Sequence, residues 1–259
     1  MPTALITGAS SGIGLELAAA AARDGHDLVL VARNSERLEA VGRGLAEKHA
    51  VQATVIAKDL ARPQSASELH ADLSARGITV DVLVNNAGVG VYGFFAETRL
   101  EDELAMIEVN VSAVTRLTKT FLSGMLERRR GWILNVASTA AFQPGPIMAV
   151  YYATKAYVLS FSEALANETA GTGVHVTVLC PGPTRTEFQR RAGFKPIPLL
   201  KTPLVSNAAD VAREGWEGMK HGRRIVVPGL ANRLLVQAER VTPRRLVTAV
   251  IRRLQESRS

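Results

Sequence analysis

Short apolar runs alternate with segments of helical spacing along nearly the whole sequence, and this alternation restricts the fold more than any other feature. Such runs are typical of strands that are buried on both faces of a sheet. They cover residues 4–7, 27–32, 52–57, 81–85, 132–137 and 174–179. A helix between successive strands makes those strands parallel, because a parallel pair needs a long crossover connection. Without internal repeats or flexible linkers, the pattern predicts a single α/β domain with a doubly wound parallel sheet.

A glycine-rich turn follows the first apolar run and leads into an alanine-rich helix that is expected to end near residue 23. Glycine here allows a tight turn, a close approach of the backbone to a phosphate, and close packing of the helix on the strand. The amino terminus of the helix adds N–H groups and the positive end of its dipole, which favour a pyrophosphate. The spacing is G-x-x-x-G-x-G rather than G-x-G-x-x-G. The turn predicts a dinucleotide site formed by Gly8, Ser10, Ser11, Gly12, Ile13 and Gly14.

The end of the second apolar run distinguishes between the two nicotinamide dinucleotides. An acidic residue at this position binds the ribose 2′-hydroxyl of NAD, whereas an arginine accommodates the 2′-phosphate of NADP. The sequence has Ala32 followed by Arg33, so we expect NADP as the cofactor. The alternative is that Arg33 only covers a solvent-exposed strand end.

The other apolar runs also end in residues suited to a dinucleotide. An aspartate after the third run could hydrogen-bond the adenine amino group or serve as an ordinary turn residue. Asn85 and its neighbour can tie adjacent backbones together, and the small residues after them leave room for a ring or a ribose. Ligands of parallel sheets bind at the carboxyl ends of the strands, where all these residues fall. The set comprises Asp59, Leu60, Asn86, Ala87 and Gly88, and later Pro181, Gly182, Thr184 and Thr186.

A tyrosine and a lysine four residues apart form a second chemical motif. Tyr151 opens a segment of helical spacing that reaches about residue 169, and Lys155 lies on the same face of it. A neighbouring ammonium favours the phenolate and lowers the pKa of the phenol, which allows proton transfer near neutral pH. Ser138 ends an apolar run thirteen residues earlier. The pair alone arises by chance in many helices, so its weight comes from the surrounding motifs.

Two capping boxes predict helix starts, one at Ser65 with Glu68 and one at Thr98 with Glu101. The second opens a long amphipathic helix that is expected to reach about residue 126. Asn110 lies in the interior of this helix, where asparagine is mildly unfavourable. We therefore expect Asn110 either to be exposed or to make specific polar contacts.

In combination these motifs resemble those of the short-chain dehydrogenase/reductase family over residues 3–227. The matching stretches are Thr7-Gly-x-x-x-Gly-Ile-Gly14, Asn85-Asn-Ala-Gly88, Ser138, Tyr151-x-x-x-Lys155 and Pro181-Gly. The resemblance implies one Rossmann-like domain with a seven-stranded parallel sheet. The chain is most similar to NADP-preferring members and to the branch with 3-oxoacyl and hydroxysteroid reductases, although Ser10 and Ser11 stand where some NADP enzymes carry a second basic residue.

The resemblance also implies a catalytic tetrad of Asn110, Ser138, Tyr151 and Lys155. Ser138 would hydrogen-bond the substrate oxygen, and Tyr151 would exchange a proton with it. Lys155 would bind the nicotinamide ribose and lower the pKa of the tyrosine, and Asn110 would hold a water in a proton relay. Thr184 and Thr186 resemble residues that hold the nicotinamide amide and the phosphates. Tyr152 is not preferred as the acid, because Ala156 stands four residues after it.

Residues 183–206 are rich in proline and long for a loop in a compact domain, which is typical of a lid over a substrate. Apolar side chains in this segment and elsewhere could line a pocket for an apolar small molecule, such as a fatty-acyl or sterol-like ketone. The alternative is that they only fill the space beneath the loop. They are Tyr92, Phe142, Met148, Phe188, Phe194, Ile197, Leu199 and Leu200.

Residues 1–230 are expected to form the catalytic domain, and residues 231–259 a basic helical extension. Thr242 and Pro243 suit the N-cap and N1 positions of a helix. An apolar stripe then follows at helical spacing, formed by Val247, Val250, Ile251 and Leu254. A basic amphipathic helix can lie on an anionic membrane. Packing on the body or on a sister subunit is the favoured alternative, and a homo-oligomer (dimer or tetramer) is expected.

Composition narrows the functional classes. The single cysteine, Cys180, excludes an internal disulfide and predicts a reducing, cytoplasmic setting. The histidines are scattered without ligand spacing, so no metal site is expected. No apolar run approaches the ~20 residues of a transmembrane helix, and no signal sequence precedes the first strand. Of the formal net charge of +7, residues 231–259 carry +5, so a nucleic-acid partner is not expected.

Two classes of function remain open. The first is an NADP-dependent oxidoreductase that interconverts a carbonyl and a secondary alcohol. The second is a non-catalytic dinucleotide-binding sensor or scaffold. All four residues of the implied tetrad are present, which favours the enzyme, because sensors of this fold can lose the tyrosine or the lysine. Among enzymes, an epimerase or dehydratase is the alternative, and the compact length favours simple redox chemistry.

Overall fold

Seven parallel strands form the central sheet of the computed structural model, which describes residues 1–193 and 205–256. The strands are β1 Thr3–Thr7, β2 Asp27–Ala32, β3 Ala53–Ala57, β4 Val82–Asn85, β5 Gly131–Val136, β6 Val174–Leu179 and, further along, β9 Ile225–Val226. Their order is β3-β2-β1-β4-β5-β6-β9. Strands β2 and β3 are added on one side of β1, and the later strands, from β4 onward, are added on its other side. The predicted doubly wound parallel α/β sheet of about seven strands is confirmed.

Helices connect these strands. The longer ones are α1 Gly12–Arg23, α2 Ser35–His49, α3 Ser65–Ala75, α4 Leu100–Ile107, α5 Val114–Glu127, α6 Ala149–Glu168, α8 Ala208–Lys220, α9 Leu230–Val241 and α10 Arg244–Glu256. A short helix α7, Phe188–Arg191, lies between two two-residue strands, β7 Thr184–Arg185 and β8 Ser206–Asn207, which pair with each other in parallel. A 3₁₀ turn, Thr139–Phe142, precedes α6.

Alternate residues along the strands are buried in two separate hydrophobic cores, one on each face of the sheet. Ile6 of β1 packs with α1, α2 and α8, whereas its neighbour Leu5 packs with α3, α5 and α6. Both side chains are fully buried, and each such residue contributes about 1.5–3 kcal/mol relative to an exposed one. The two cores fix the helices on both faces of the sheet. The carboxyl edge of the sheet is left open for a site.

Both predicted capping boxes are wrong. Ser65 is the first residue of α3, and its hydroxyl donates to the carbonyl of Asp59, while Glu68 forms an ion pair with Lys58 at 2.8 Å. The hydroxyl of Thr98 donates to Glu103 Oε1 at 2.8 Å, and α4 begins two residues later at Leu100. In both cases a tertiary or neighbouring acceptor competes successfully with the local cap.

The predicted long helix is interrupted by a π-helical turn, Glu108–Ala113, between α4 and α5. Such a turn contains one extra residue relative to the α-helix and is frequent at functional sites. Asn110 lies within it and is 1% exposed. The insertion therefore lies where a buried polar side chain makes tertiary contacts.

The carboxyl-terminal helices cover the segment between the 3₁₀ turn and α6. Helix α9 packs on the 3₁₀ turn, and Ile251 of α10 packs on Ala140, Met148 and Tyr152. Thr242 does not cap α10, because its hydroxyl donates back to Ala238 of α9 at 2.7 Å. The predicted apolar stripe is divided: Val247 is buried and Ile251 partly buried, while Val250 and Leu254 are exposed.

Part of the predicted lid lies outside the described residues, including Phe194, Ile197, Leu199 and Leu200. Its two ends are close together, because Thr184 pairs with Ser206 and Arg185 with Asn207. Within the described ranges, no helix is both long and apolar enough to cross a bilayer. The same ranges contain no cluster of three or more His, Cys, Asp or Glu side chains placed to hold a metal ion.

Candidate active site

The glycine-rich turn between β1 and α1 forms a tight cradle at the carboxyl edge of the sheet. Gly8 and Gly12 have φ of 66° and 57°, the left-handed region that favours glycine. A Cβ on Gly14 would lie 2.3 Å from the carbonyl oxygen of Gly8, and a Cβ on Gly12 would lie 3.1 Å from Thr186 Cγ2. The side chain of the N-cap residue Ser11 makes no capping hydrogen bond to the first-turn N–H groups of α1. This glycine cradle (residues 8–14) fits a phosphate group.

Asn86 joins the ends of β1 and β4, as expected from its position. Its side-chain amide donates to the Thr7 carbonyl at 2.9 Å. The hydroxyl of Thr7 accepts the backbone N–H groups of Asn86 and Ala87 at 3.0 Å each and donates to Val84 at 3.1 Å. The segment that follows is thereby held beside the glycine cradle. A Cβ on Gly88 would lie 3.4 Å from Lys155 Nζ, so Gly88 connects the cradle to the tyrosine–lysine motif.

A buried chain of polar side chains under the site was not anticipated from the sequence. Asn85 Nδ2 donates to Asn135 Oδ1 at 2.8 Å and to Thr118 Oγ1 at 3.0 Å. Asn135 Nδ2 in turn donates to Ser162 Oγ at 2.9 Å. The chain links β4, α5, β5 and α6, which carry or support the implied tetrad. An asparagine inside the apolar run at 131–136 was the available signal for this network.

Asn110 makes the polar contacts that its interior position led us to expect. Its Oδ1 accepts from the N–H of Val89 at 2.9 Å, and its Nδ2 donates to the carbonyl of Val89 at 2.9 Å and to Thr154 Oγ1 at 3.1 Å. Both hydrogens of the amide are therefore used to hold the segment after β4 against α6. The role of Asn110 in a water relay stays a prediction.

Tyr151 and Ser138 are brought together by the junction of β5 and α6. The Ser138 hydroxyl lies close enough to the Tyr151 hydroxyl to lower the pKa of the phenol, against the larger effect of burial. Ser138 Oγ also accepts from the N–H of Ala140 at 3.1 Å and lies 3.4 Å from the carbonyl of Pro181. These contacts fix the serine as the N-cap of the 3₁₀ turn. The two hydroxyls form a site where one substrate oxygen could contact both.

Lys155 is buried one turn after Tyr151. Its Nζ donates to the carbonyl of Val136 at 2.9 Å and lies 5.9 Å from the centroid of the Tyr151 ring. Burial lowers the pKa of Lys155 to about 8, and the nearby Cys180 opposes this shift. The ammonium therefore retains two hydrogens that can bind other acceptors.

The expected lowering of the tyrosine pKa is not found. Burial raises the pKa of Tyr151 above its ordinary value of 10.0, and the nearby Ser138 hydroxyl only partly opposes this shift. Lys155 does not reverse it; its Nζ donates to the Val136 carbonyl and lies 5.9 Å from the centroid of the Tyr151 ring. Loss of hydration dominates here over the attraction between phenolate and ammonium. In this arrangement Tyr151 is a proton donor, and its protonated form is favoured.

The end of β2 carries an arginine, and no acidic residue stands directly after Ala32. Arg33 follows Ala32 and is exposed, and its guanidinium forms no ion pair within the part of the chain that the structure describes. Arg37, in the first turn of α2, contacts both carboxylate oxygens of Glu187 at 3.0 Å. The sequence analysis did not single out Arg37, although it lies one helical turn from Arg33. This end of the site fits an anionic group such as a 2′-phosphate.

The other residues predicted to bind the cofactor follow β3 and β6. Asp59 is exposed, and one of its carboxylate oxygens accepts from the N–H of Ala61 at 3.1 Å, which is the ordinary turn role. The side chain of Leu60 is buried in the core, so only its backbone can reach a ligand. Thr184 Oγ1 donates to the carbonyl of Gly182 at 2.9 Å. These residues follow the carboxyl ends of β3 and β6, along the same edge of the sheet as the glycine cradle.

Aromatic and apolar side chains pack next to Tyr151. Phe188 lies beside it, with ring centroids 5.4 Å apart. Tyr92 and Met148 belong with Tyr152 to one apolar cluster that Tyr151 also touches. Phe142 was predicted for the same pocket, but it packs in a different cluster, with Val158 and Leu159 among others.

Gln255 of α10 is a further residue at this wall, and it is 2% exposed. The hydroxyl of Tyr92 donates to the carbonyl of Gln255 at 2.6 Å. Gln255 Nε2 donates to the hydroxyl of Tyr152 at 2.8 Å. The sequence contained no signal for these contacts, because they join positions more than one hundred residues apart.

Comparison with known proteins agrees with this geometry. Residues 2–195 match the family model described as short chain dehydrogenase. A very-long-chain 3-oxoacyl-CoA reductase of Phaeosphaeria nodorum is 36% identical over 219 residues, which cover 83% of this chain. The match spans only 64% of the length of that reductase.

Two solved structures have the same fold over most of their length. A short-chain dehydrogenase from Sphingobium yanoikuyae in complex with NADPH is 34% identical, covers 92% of each chain and has a TM-score of 0.83. A short-chain dehydrogenase/reductase from Burkholderia phymatum in complex with NAD is 28% identical, with 91% of this chain and 92% of that chain covered and a TM-score of 0.81. Similar folds therefore bind either dinucleotide.

Proposed function

The chain belongs to the short-chain dehydrogenase family, and from its site we propose an NADP(H)-dependent oxidoreductase that interconverts a carbonyl and a secondary alcohol. One observation carries the proposal: the hydroxyl of Ser138 lies near that of Tyr151 and lowers the pKa of the phenol, at the carboxyl edge of the sheet beside the glycine cradle. A proton donor and a second hydroxyl at one point are what a carbonyl oxygen needs as it gains electrons.

The residues that would hold the dinucleotide form a continuous line along the edge of the sheet. The glycine cradle would take the pyrophosphate, and Arg33 at the end of β2 would take the 2′-phosphate. Gly88 and Lys155 would lie at the nicotinamide ribose, with Thr184 and Thr186 near the nicotinamide end. When bound, the nicotinamide supplies or accepts the hydride. The absence of an acidic residue after Ala32 supports NADP over NAD.

The protein's own side chains would handle the proton. Ser138 would hydrogen-bond the substrate oxygen and hold it beside Tyr151. During reduction Tyr151 donates its proton to that oxygen, and during oxidation it accepts the proton of the alcohol. Lys155, fixed by Val136, would place its remaining N–H groups on ribose hydroxyls and stabilise the phenolate once it forms. Asn110 would keep the loop after β4 in position and contribute to the return of the proton through water.

The substrate that we propose is apolar, such as a fatty-acyl or sterol-like ketone. Support comes from the wall of the site around Tyr151, where Phe188, Tyr92 and Met148 are grouped. The similarity to a reductase named for very-long-chain 3-oxoacyl-CoA favours the fatty-acyl class. Because one extra methylene changes binding in an apolar pocket by about 1–3 kcal/mol, chain length should affect kcat/KM clearly.

The proposal is tested by following NADPH absorbance with a panel of ketones of increasing chain length and ring number. The wild-type protein is expected to reduce apolar ketones, and Tyr151→Phe to lose about 10²–10⁴-fold in kcat. Tyr157→Phe is the matched control, because Tyr157 lies on the same helix and hydrogen-bonds Thr115 at 2.8 Å, away from Ser138. Equal activity of wild type and Tyr151→Phe would exclude the proposed acid, and dinucleotide binding without turnover of any substrate would favour a sensor or scaffold.

A further inference from the structure

Helices α9 and α10 expose large apolar side chains over a continuous part of the chain. We define the outer apolar face as Leu230, Leu234 and Val241 of α9 with Leu246 and Val250 of α10. Their exposed fractions are 70%, 63%, 85%, 59% and 57% respectively. On α9 the three residues share one side, because they are spaced by four and seven positions. A surface helix normally turns such a stripe toward the core, so this arrangement needs an external partner.

Among residues 1–193 and 205–256, packing on the body of the protein does not cover this face. The inner side of α9 buries Asn232 and Val236, and that of α10 buries Val247 and Gln255. Both inner sides rest on the segment between residues 139 and 152. The two helices therefore use one side for the fold and retain a second apolar side that faces solvent.

The two helices that carry the outer apolar face also carry four arginines without an ionic partner among the described residues. The guanidinium groups of Arg240, Arg244, Arg245 and Arg253 are exposed and form no ion pair within the described ranges. The other two arginines of these helices have acidic partners: Arg233 binds Glu214 at 2.9 Å, and Arg252 binds Glu256 at 2.8 Å. Six arginines and two glutamates give residues 230–256 a formal charge of +4.

We propose that the outer apolar face docks on the surface of an anionic phospholipid bilayer. The leucines and valines would enter the boundary between headgroups and acyl chains, and the four unpaired arginines would contact lipid phosphates. A second copy of the chain fits less well, because it would bring a second face of the same charge against the first. Docking of this kind lies on the membrane without crossing it.

The position of the face connects it to the active site. The buried side of α10 holds Gln255 against Tyr152, next to Tyr151, while its exposed side carries Leu246 and Val250. A protein docked in this way would hold the wall of its substrate pocket close to the layer in which apolar molecules dissolve.

Vesicle co-sedimentation of the full chain tests the proposal. Vesicles of phosphatidylcholine with about one third phosphatidylglycerol are compared with pure phosphatidylcholine, at low salt and at about 0.5 M salt, where surface charges are screened. The apolar variant is Leu234→Ser with Val241→Ser, and the charge variant is Arg245→Gln with Arg253→Gln. The control is Leu100→Ser with Leu104→Ser on α4, two leucines that are 62% and 52% exposed. Circular dichroism establishes that each variant is folded.

The wild type and the control are expected to bind the anionic vesicles and to release them at high salt, with both test variants bound about tenfold more weakly. Absence of binding to anionic vesicles would overturn the proposal, as would equal binding by wild type and the apolar variant. Size-exclusion chromatography gives the competing result: a dimer that the apolar variant, but not the control, dissociates would assign the face to a second copy of the chain.

Discussion

The side-chain amide of Gln255 donates a 2.8 Å hydrogen bond to the hydroxyl of Tyr152, the residue that follows the proposed acid Tyr151. The carbonyl of Gln255 accepts from Tyr92 at 2.6 Å. The end of α10 is thus fixed at two points to the wall of the substrate side. The shape of that wall depends on a residue more than one hundred positions from the tyrosine.

Replacement of Gln255 by alanine is expected to raise KM for bulky apolar ketones severalfold and to change kcat less. The Tyr152 hydroxyl would lose its buried donor, and the free energy of unfolding should fall by about 1–3 kcal/mol. Steady-state kinetics with NADPH and guanidinium unfolding measure the two effects. Gln237→Ala, at an exposed position of α9, is the control. A loss of stability without any change in KM would limit Gln255 to a structural role.

The raised pKa of Tyr151 predicts different pH profiles for the two directions of the reaction. Reduction needs the protonated phenol. Because this form persists up to the raised pKa, the rate of reduction should not depend on a high pH. Oxidation of the alcohol needs the phenolate, so kcat/KM should rise about tenfold per pH unit below that pKa. Rates of both directions between about pH 6 and 10 check this. An oxidation profile that becomes level near neutral pH would show that the bound cofactor reverses the shift.

Arg33→Ala is expected to raise KM for NADPH by about 10- to 100-fold and to leave KM for NADH nearly unchanged. The reason is the loss of a charge-assisted contact to the 2′-phosphate, a group that NADH lacks. Arg43→Ala, on the exposed side of α2, is the matched control. If KM rises equally for NADPH and NADH, Arg33 contributes only to general binding of the dinucleotide. The preference for NADP must then come from another residue, and Arg37 is the next candidate.

Gly14→Ala is expected to abolish dinucleotide binding and to destabilise the fold by several kcal/mol. The new Cβ would lie 2.3 Å from the carbonyl oxygen of Gly8, and backbone cannot move aside as a flexible side chain can. Gly44→Ala in α2 is the control, because nothing lies within 4 Å of its Cβ position. That control should gain about 0.5–1 kcal/mol from helix propensity. Thermal unfolding and titration with NADPH measure both variants.

Glu239 of α9 predicts a stability that decreases with pH. Burial raises the pKa of its carboxyl from the ordinary 4.5 to about 7. Between about pH 4.5 and 7 the folded chain therefore holds more protons than the unfolded chain, so the free energy of unfolding contributed by this group falls as pH rises. Because the side chain is partly screened by solvent, we expect an effect of about 1–2 kcal/mol.

Guanidinium unfolding of wild type and Glu239→Gln at pH 5 and pH 8 measures this effect. The glutamine variant should be more stable than wild type at pH 8 and differ little at pH 5. Glu47→Gln, at an exposed position of α2, should show no such difference between the two pH values. A wild type that becomes more stable relative to Glu239→Gln as pH rises would contradict the assignment.

The parallel sheet and the glycine cradle could be predicted because each depends on local sequence. Alternation of apolar runs and helices fixes the class of sheet, and the φ values of Gly8 and Gly12 reflect a turn whose residues are adjacent in the chain. Asn110 was recognisable as an unusual residue in a helix. The π-helical turn around it was not, because it depends on contacts with Val89 and Thr154 from other elements.

Features that depend on burial were predicted less well. The pKa of Tyr151 was expected to fall, because spacing shows the neighbouring lysine but not the loss of water around the phenol. Ser65 and Thr98 matched a capping pattern. Their hydroxyls instead donate hydrogen bonds to the carbonyl of Asp59 and the carboxylate of Glu103, respectively. The hydrogen bonds of Gln255 with Tyr92 and Tyr152 had no signal in the local sequence. In each case the deciding factor is the three-dimensional arrangement of the folded chain, which the local sequence pattern does not show.

The central position of β1 has a consequence for how the protein is made on the ribosome. One edge of β1 pairs with β2, which follows within a few tens of residues, but the other edge pairs with β4, where Ala4 lies opposite Val82. At about 5–20 residues per second, synthesis from the end of β1 to the start of β4 takes about 4–15 s. During that interval a strand that is buried throughout in the folded protein keeps an open edge, a template for pairing with other chains. Chaperone dependence and aggregation during expression should therefore be most sensitive to substitutions in the first 85 residues.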